Sequence, residues 1–380
     1  MVFPTRLVAA FSILTVLAQL SSYFKAVHSK ILMYIDGLIT MVATRDTKWK
    51  LPQNVAALNL QRRDAKRIIF IRHGESVWNE VFNRGLNIGL VGRLFKALKR
   101  EISFLAKPYS VFLDTPLNSE GLQQALAIGE RIEKARHVSS NDKELDYILA
   151  VLRGEAIVPQ PPVGVSASAT EAKSAEPTHA GNQVQPATNH SIIVSSNLRR
   201  ALATVAIGLK HRLAATGEQI LIHSACQEIS RNIDCYASAT AGAVPHMEGA
   251  DCGDAAKLMT LPGQTQYSKD IFNPAMNSGQ KPLDETGLQR LQDFVEWCFS
   301  RPESTIIVAG HSLWFRSFFR VFYDHSKDHP GKDCKMVNGG VVSFTLNRGE
   351  HNNKSCYWIE PETIKTIIGG FEEPKKKKMK

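Results

Sequence analysis

From Arg67 onward, short unbroken apolar runs alternate with longer stretches in which apolar residues recur every three or four positions. RIIFI (67–71), SIIVSS (191–196), ILIH (220–223), TIIVAG (305–310) and VVSFTL (341–346) are of the first kind. Because they are continuous rather than alternating, they predict strands of a sheet covered on both faces. Glu120 to His137, Leu198 to Ala215, Glu285 to Phe299 and Leu313 to Tyr323 are of the second kind and predict helices. Strands interleaved with helices predict an α/β protein: a three-layer α/β/α sandwich around a mostly parallel sheet.

Four stretches stand apart from this core. Leu7 to Phe24 is eighteen residues without a charge, long enough as a helix (~27 Å) to approach the ~30 Å of a hydrocarbon core. It reads as a membrane or signal anchor, with a cleaved presequence or a buried helix as alternatives. A second apolar run, Ile31 to Ala43, is interrupted by Asp36 and is expected to lie on a membrane surface or to pack on the domain. Residues 86–107 carry Leu90, Leu94, Leu98 and Ile102 at helical spacing, with Phe95 and Leu105 nearby and Arg93, Lys96, Lys99 and Arg100 among them. They predict an amphipathic helix with a solvated basic face, or a cap over the active site or a membrane-surface contact. Residues 154–190, rich in Ala, Pro, Ser and Thr and without an aromatic residue, are expected to be a disordered insertion. The domain expectation is therefore 1–60 as anchor or targeting segment and linker, 61–370 as catalytic domain with insertions at 86–110 and 154–190, and 371–380 as a lysine-rich tail.

Composition changes the picture little. The 380 residues carry 43% hydrophobic and 22% charged side chains, close to a soluble globular average. The net charge of +10 is half accounted for by Lys375, Lys376, Lys377, Lys378 and Lys380, so no nucleic-acid groove is expected. Six widely spaced Cys, with no C-x-x-C pair, argue against a disulfide scaffold or zinc ribbon.

The chemistry gathers where the strands end. Arg72-His73 follows the first run, Arg199-Arg200 the second and His311 the fourth. In an open α/β sheet ligands collect outside the carboxyl ends of the strands, so these side chains should converge there. Two imidazoles and at least two guanidiniums make an anion site, and the guanidinium fork matches phosphate oxygens. A neutral imidazole is also a competent nucleophile toward phosphorus. No carboxylate or Cys cluster accompanies His73 at ligand spacing, so no metal and no cofactor is expected.

IRHGESVWN (71–79) resembles the signature of the histidine phosphatase superfamily, in its phosphoglycerate mutase-like branch. TPLNSEGLQQA (115–125), SSNLRRALAT (195–204) and GHSLWFR (310–316) resemble three further motifs of that family in the same order. The resemblance runs from about Arg67 to Leu346 and implies the phosphoglycerate mutase-like sandwich. It implies that His73 becomes phosphorylated and that Arg72, Arg200 and His311 hold the phosphoryl oxygens. Asn79 would border the substrate phosphate, and Glu228 would be the general acid, with Asp234 as the alternative. The implied activity is metal-independent hydrolysis of a phosphomonoester, carried by a small molecule or a phosphoprotein. The long gap between the first two motifs and the extra residue in WNEVFNR, which leaves Arg84 without an assigned role, favour hydrolysis over mutase-type transfer. The third alternative is a non-catalytic, membrane-tethered phospholigand binder.

The flank downstream of Leu7–Phe24 is more basic than the flank upstream, which would put the catalytic domain in the cytosol. Lys377-Lys378-Met379-Lys380 has the K-K-x-x form of an endoplasmic reticulum retrieval signal. The expectation is membrane association through residues 7–24, at the endoplasmic reticulum, with organelle targeting or a cytoplasmic location as alternatives. The oligomeric state has no signal in the sequence.

Overall fold

The computed structural model describes residues 2–58, 60–85, 87–107, 109–137, 141–155, 190–247 and 255–373. The expected disordered insertion lies almost wholly outside the described residues, as does the Lys377–Lys380 signal.

Seven strands form one sheet: β1 Arg62–Arg72, β2 Ser191–Ser195, β3 Ile220–His223, β4 Phe272–Met276, β5 Thr305–Gly310, β6 Val341–His351 and β7 Lys354–Ile368. Their order is β4-β3-β2-β5-β1-β6-β7. The first five in that order are mutually parallel, and β6 and β7 close one edge antiparallel. The mostly parallel sandwich expected from the runs is what the chain forms. β4 and β7 had no strand signal, and Asn352 and Asn353, both at positive φ, make the tight turn between β6 and β7.

Both faces of β1 are buried because its side chains alternate between two layers. Ile69 and Ile71, with Ile193 and Ile307, pack under α5 (Ser119–Lys134), α6 (Lys143–Arg153) and α7 (Arg199–Gly208). Ile68 and Phe70 face α10 (Gly287–Ser300) and α11 (Ser312–Phe322), where Phe70 stacks on Phe315 at 4.1 Å. The remaining helices are α1 (Val2–Leu20), α2 (Ser22–Ala43), α3 (Val77–Phe82), α4 (Ile88–Ser103), α8 (Lys210–Thr216), the one-turn α9 (Ala255–Met259) and the one-turn α12 (Pro330–Asp333).

The N-terminus departs from expectation. Leu7–Phe24 is not one helix: Ser21 is extended (φ −150°, ψ 134°) and divides the run between α1 and α2. Among the described residues, the helix long and apolar enough to cross a membrane is α2, not 7–24. Yet α2 is seated on the domain. Its buried Lys30 donates to the carbonyls of Phe104 (2.6 Å) and Tyr109 (2.8 Å) and pairs with Glu101. Tyr34 bonds Ser110, and Tyr236 donates to Asp36 at 2.5 Å. Gly37 lies so close to the body that a Cβ there would sit 2.9 Å from Leu113. Packing on the domain was one of the two outcomes expected for 31–43.

The 86–107 segment is helical but turned differently from the expectation. Leu90, Leu94, Ala97 and Phe104 face Val77, Val81, Tyr109 and Val111, whereas Leu98 and Ile102 point to solvent. Arg93, Lys96 and Arg100 line a shallow groove beside α3 and α5. Among the described residues, none of α4 lines the cavity described next.

Candidate active site

The carboxyl ends of three neighbouring strands come level. Arg72 pairs with Gly310 across β1 and β5, and Ser195 with Ala309 across β2 and β5. The residues that follow each strand, His73, Ser196 and His311, therefore leave the sheet together. The His73 and His311 rings lie 5.1 Å apart between centroids.

Close backbone packing holds the His73 loop. The Gly74 N–H donates to Thr204 Oγ1 (3.0 Å) on α7, and the Glu75 N–H to Gln124 Oε1 (2.8 Å) on α5. A Cβ on Gly74 would sit 2.4 Å from the Gly121 carbonyl oxygen, and one on Gly121 would sit 2.0 Å from that of Glu75. Only glycine at both positions lets the loop touch the start of α5. Asn118 caps that helix by accepting from Gly121 N–H at 2.8 Å.

The orientation of His73 follows from one contact. Its Nδ1 lies 2.6 Å from the Gly74 carbonyl oxygen, which can only accept, so Nδ1 carries the hydrogen. The lone pair is thereby left on Nε2. Burial pushes this imidazole well below its ordinary range, and Arg200 and Arg72 push it further. It is neutral at pH 7. His311 is lowered in the same way, by burial, then Arg200 and His73. Its Nε2 meets Ser196 Oγ at 2.8 Å, while its buried Nδ1 has no protein partner.

A cavity of about 80 Å³ is lined by Arg72, His73, Asn79, Arg200, Glu228 and Asp234, with Trp78, Ser230, Asn232, Ser312 and Lys335 among the rest. The cavity is small and walled by two guanidiniums and an imidazole, a setting for a compact oxyanion. Arg200 is anchored by the Asp234 carbonyl (2.8 Å) and its carboxylate (3.5 Å). Arg72 is anchored by Met336 O and by Glu372. The Nε of each arginine is buried and unpartnered, a donor without an acceptor beside the cavity. Arg199 is turned away, donating to the backbone of Asp114 and Ser110. Arg84 is also outside, paired with Glu75.

Glu228 accepts from the N–H groups of Trp314 (2.7 Å) and Leu313 (3.2 Å) in the first turn of α11. Burial raises its carboxyl above the ordinary range, although Arg200 and those two N–H groups oppose the rise. Asp234 is raised likewise by burial against Arg200. Five of the six residues singled out in the sequence line this cavity, with Asp234 beside them. His311 does not line it and is fully buried, its ring 5.1 Å from that of His73.

Sequence reasoning missed Lys335, Asn232 and Ser230, which sit in segments without motif or period, and Ser312, which lies inside GHSLWFR but had no role assigned. It also missed Asp46. This fully buried carboxylate meets Lys281 Nζ at 2.6 Å, Arg290 at 2.5 Å and the Ser230 N–H at 2.9 Å. Lys281 in turn donates to the carbonyls of Glu228 (2.7 Å) and Ser230 (2.8 Å), and Arg290 to that of Gln227. Residues after α2 are therefore woven into the support of the Glu228 loop. The only sequence signal was a lone acidic residue in a basic stretch.

No family model matches the chain, and no curated protein matches it. Among solved structures, a mycobacterial hydrolase is similar over 78% of this chain and 97% of its own, at 14% identity and a TM-score of 0.31. A mycobacterial glucosyl-3-phosphoglycerate phosphatase bound to VO3 gives the same figures. A phosphoserine phosphatase from Entamoeba histolytica, in complex with phosphoserine, matches 77% of this chain and 94% of its own, at 14% identity and a TM-score of 0.27. Likeness this remote carries no chemistry across; the residues of the cavity have to supply it.

Proposed function

We propose that this chain is a phosphomonoester hydrolase that works through a phosphohistidine on His73. The observation that carries the reading is the tautomer of that ring. Nδ1 is held by the Gly74 carbonyl, so a neutral Nε2 with its lone pair is available in a small cavity bordered by two guanidiniums. A positioned neutral imidazole beside fixed cations is the arrangement that nucleophilic attack on a phosphate ester requires.

In the first step Nε2 forms a bond to phosphorus while the bond to the ester oxygen breaks. Glu228, whose carboxyl burial raises above its ordinary range, gives its proton to the departing alkoxide. Arg72 and Arg200 compensate the charge spread over the equatorial oxygens, with the neutral His311 ring next to His73 serving as a hydrogen-bonding group. In the second step water attacks the phosphohistidine and its proton returns to Glu228. Phosphate leaves, and the imidazole regains its starting tautomer. The substrate class is a small phosphorylated molecule. Leu313 borders both this cavity and a neighbouring cleft of about 560 Å³ with Trp49, Arg316 and Arg320 on its walls, which gives the leaving group a place to lie.

The test is release of phosphate from a broad panel of phosphomonoesters by the native chain and by His73→Ala, with quenched-flow trapping of the intermediate. An acid-labile, base-stable phosphoenzyme that His73→Ala cannot form is the expected result. Turnover that persists in His73→Ala would overturn the assignment.

A further inference from the structure

We propose that the outer face of α4, continued by that of α2, is a docking surface for a bilayer containing anionic lipid. Apolar exposure on this protein is concentrated, not scattered. Of the large hydrophobic residues exposed among the described residues, only Met276 and Leu283 fall outside Ile13–Leu105. On α4 the solvent-facing row is Ile88 (95% exposed), Val91 (71%), Phe95 (70%), Leu98, Ile102 (70%) and Leu105. Spaced three and four apart, these make one ridge along the helix. The helix is held by its opposite side, Leu90, Leu94 and Ala97, so the ridge is not a core face awaiting its own domain. On the adjoining α2, Leu32, Ile35, Leu38, Ile39 and Val42 are exposed in the same way, while Lys30 ties that helix to Glu101 of α4. A run of large exposed apolar side chains along two neighbouring helices marks an interaction surface rather than the isolated exposed residues that are normal on a monomer.

Charge decides between occupants. At 100° per residue, Lys99, Lys96, Arg100 and Arg93 follow one another around α4 on one flank of the ridge, and Lys96 and Lys99 are exposed. The helix has a single acid, Glu101, which is already engaged by Lys30 and the Val111 N–H. A second copy of the chain zipped along the ridge would bring lysine against lysine with no free carboxylate on α4 to pair them. An anionic lipid surface instead meets every element: acyl chains take the ridge, and headgroup phosphates take the cations beside it. The inner faces of α2 and α4 grip the body near the catalytic loops, so the enzyme would lie against the membrane rather than hang from a tether.

The experiment places the photoreactive residue p-benzoylphenylalanine at Phe95 in the full chain. Vesicles of phosphatidylcholine are compared with vesicles carrying about 30% phosphatidylserine. Because Phe95 is solvent-exposed, the substitution should leave the thermal melt unchanged. The expected result is a cross-link to phospholipid, at least fivefold stronger on the anionic vesicles, and reduced by a similar factor in Lys96→Glu/Lys99→Glu or at high salt. The readout is local to α4, so attachment through α1 cannot imitate it. A chain-to-chain cross-link would assign the ridge to a second copy and overturn the proposal. A lipid adduct indifferent to charge, or no adduct at all, would overturn it equally.

Discussion

Replacing Asp46 with alanine tests whether the segment after α2 is part of the catalytic apparatus. The carboxylate is fully buried, holds two cations, and accepts from the backbone of the loop that carries Glu228. Asp46→Ala leaves Lys281 and Arg290 buried without their counter-charge. Breaking one partner of a buried ion pair costs about 3–5 kcal/mol. For a domain of this size, at about 2 °C per kcal/mol, the melting temperature should fall by roughly 6–10 °C. The pH dependence has a definite sign. Burial alone would raise the Asp46 carboxyl, but Arg290 and Lys281 outweigh it and hold the group below its ordinary range. The stabilisation is therefore complete above the unfolded carboxylate pKa of about 3.9, and it is lost as pH falls through the lower folded value. The gap between native and variant melts should be full at pH 7 and shrink below about pH 4. Catalysis should change selectively. A loosened Glu228 loop impairs proton donation, so turnover of an alkyl phosphate should fall further than turnover of 4-nitrophenyl phosphate, whose leaving group needs little help. Asp46→Asn keeps the shape and the Ser230 contact, and should show a smaller form of each effect. Equal loss on both substrates, or a melt within about 1 °C of native, would refute the role assigned to Asp46.

Arg200→Met should lower kcat by about 10²–10³, the loss seen when one transition-state donor is removed, and should also lower the melt, because it leaves the buried Asp234 without its counter-charge. Unchanged kcat would remove Arg200 from the mechanism. The kcat/KM profile should rise as pH climbs through the depressed imidazole pKa of His73 and fall as it passes the raised pKa of Glu228, giving a bell. Glu228→Gln should abolish the falling limb; a limb that persists would assign the acid to another group, with Asp234 next in place. Gly121→Ala would drive a methyl into the Glu75 carbonyl, 2.0 Å away, and should cost at least about 1–3 kcal/mol while displacing the His73 loop. Melting and activity should fall together, and a neutral outcome would contradict the close packing described.

The sequence by itself determined the central sheet and the edge where the chemistry lies. Unbroken β-branched runs such as RIIFI have no polar face to give to water, so they must be buried on both sides. Whatever follows them then emerges at one edge, which is why His73, one of Arg199 and Arg200, and His311 were legible from order, the motif resemblance choosing Arg200. Glu228 could be named only through the family resemblance, and its raised pKa needed the closed cavity around it. Tertiary structure alone decided the rest. Asp46 meets Lys281 and Arg290 across separations of 235 and 244 residues, and no local period encodes such a pairing. Ser21 splits an apolar run that composition would leave whole, and α2 spends its inner face on the catalytic body. On α4 the apolar residues outnumber the places available to bury them. Periodicity says that such a helix has faces, but only the neighbours it meets decide which face stays outside.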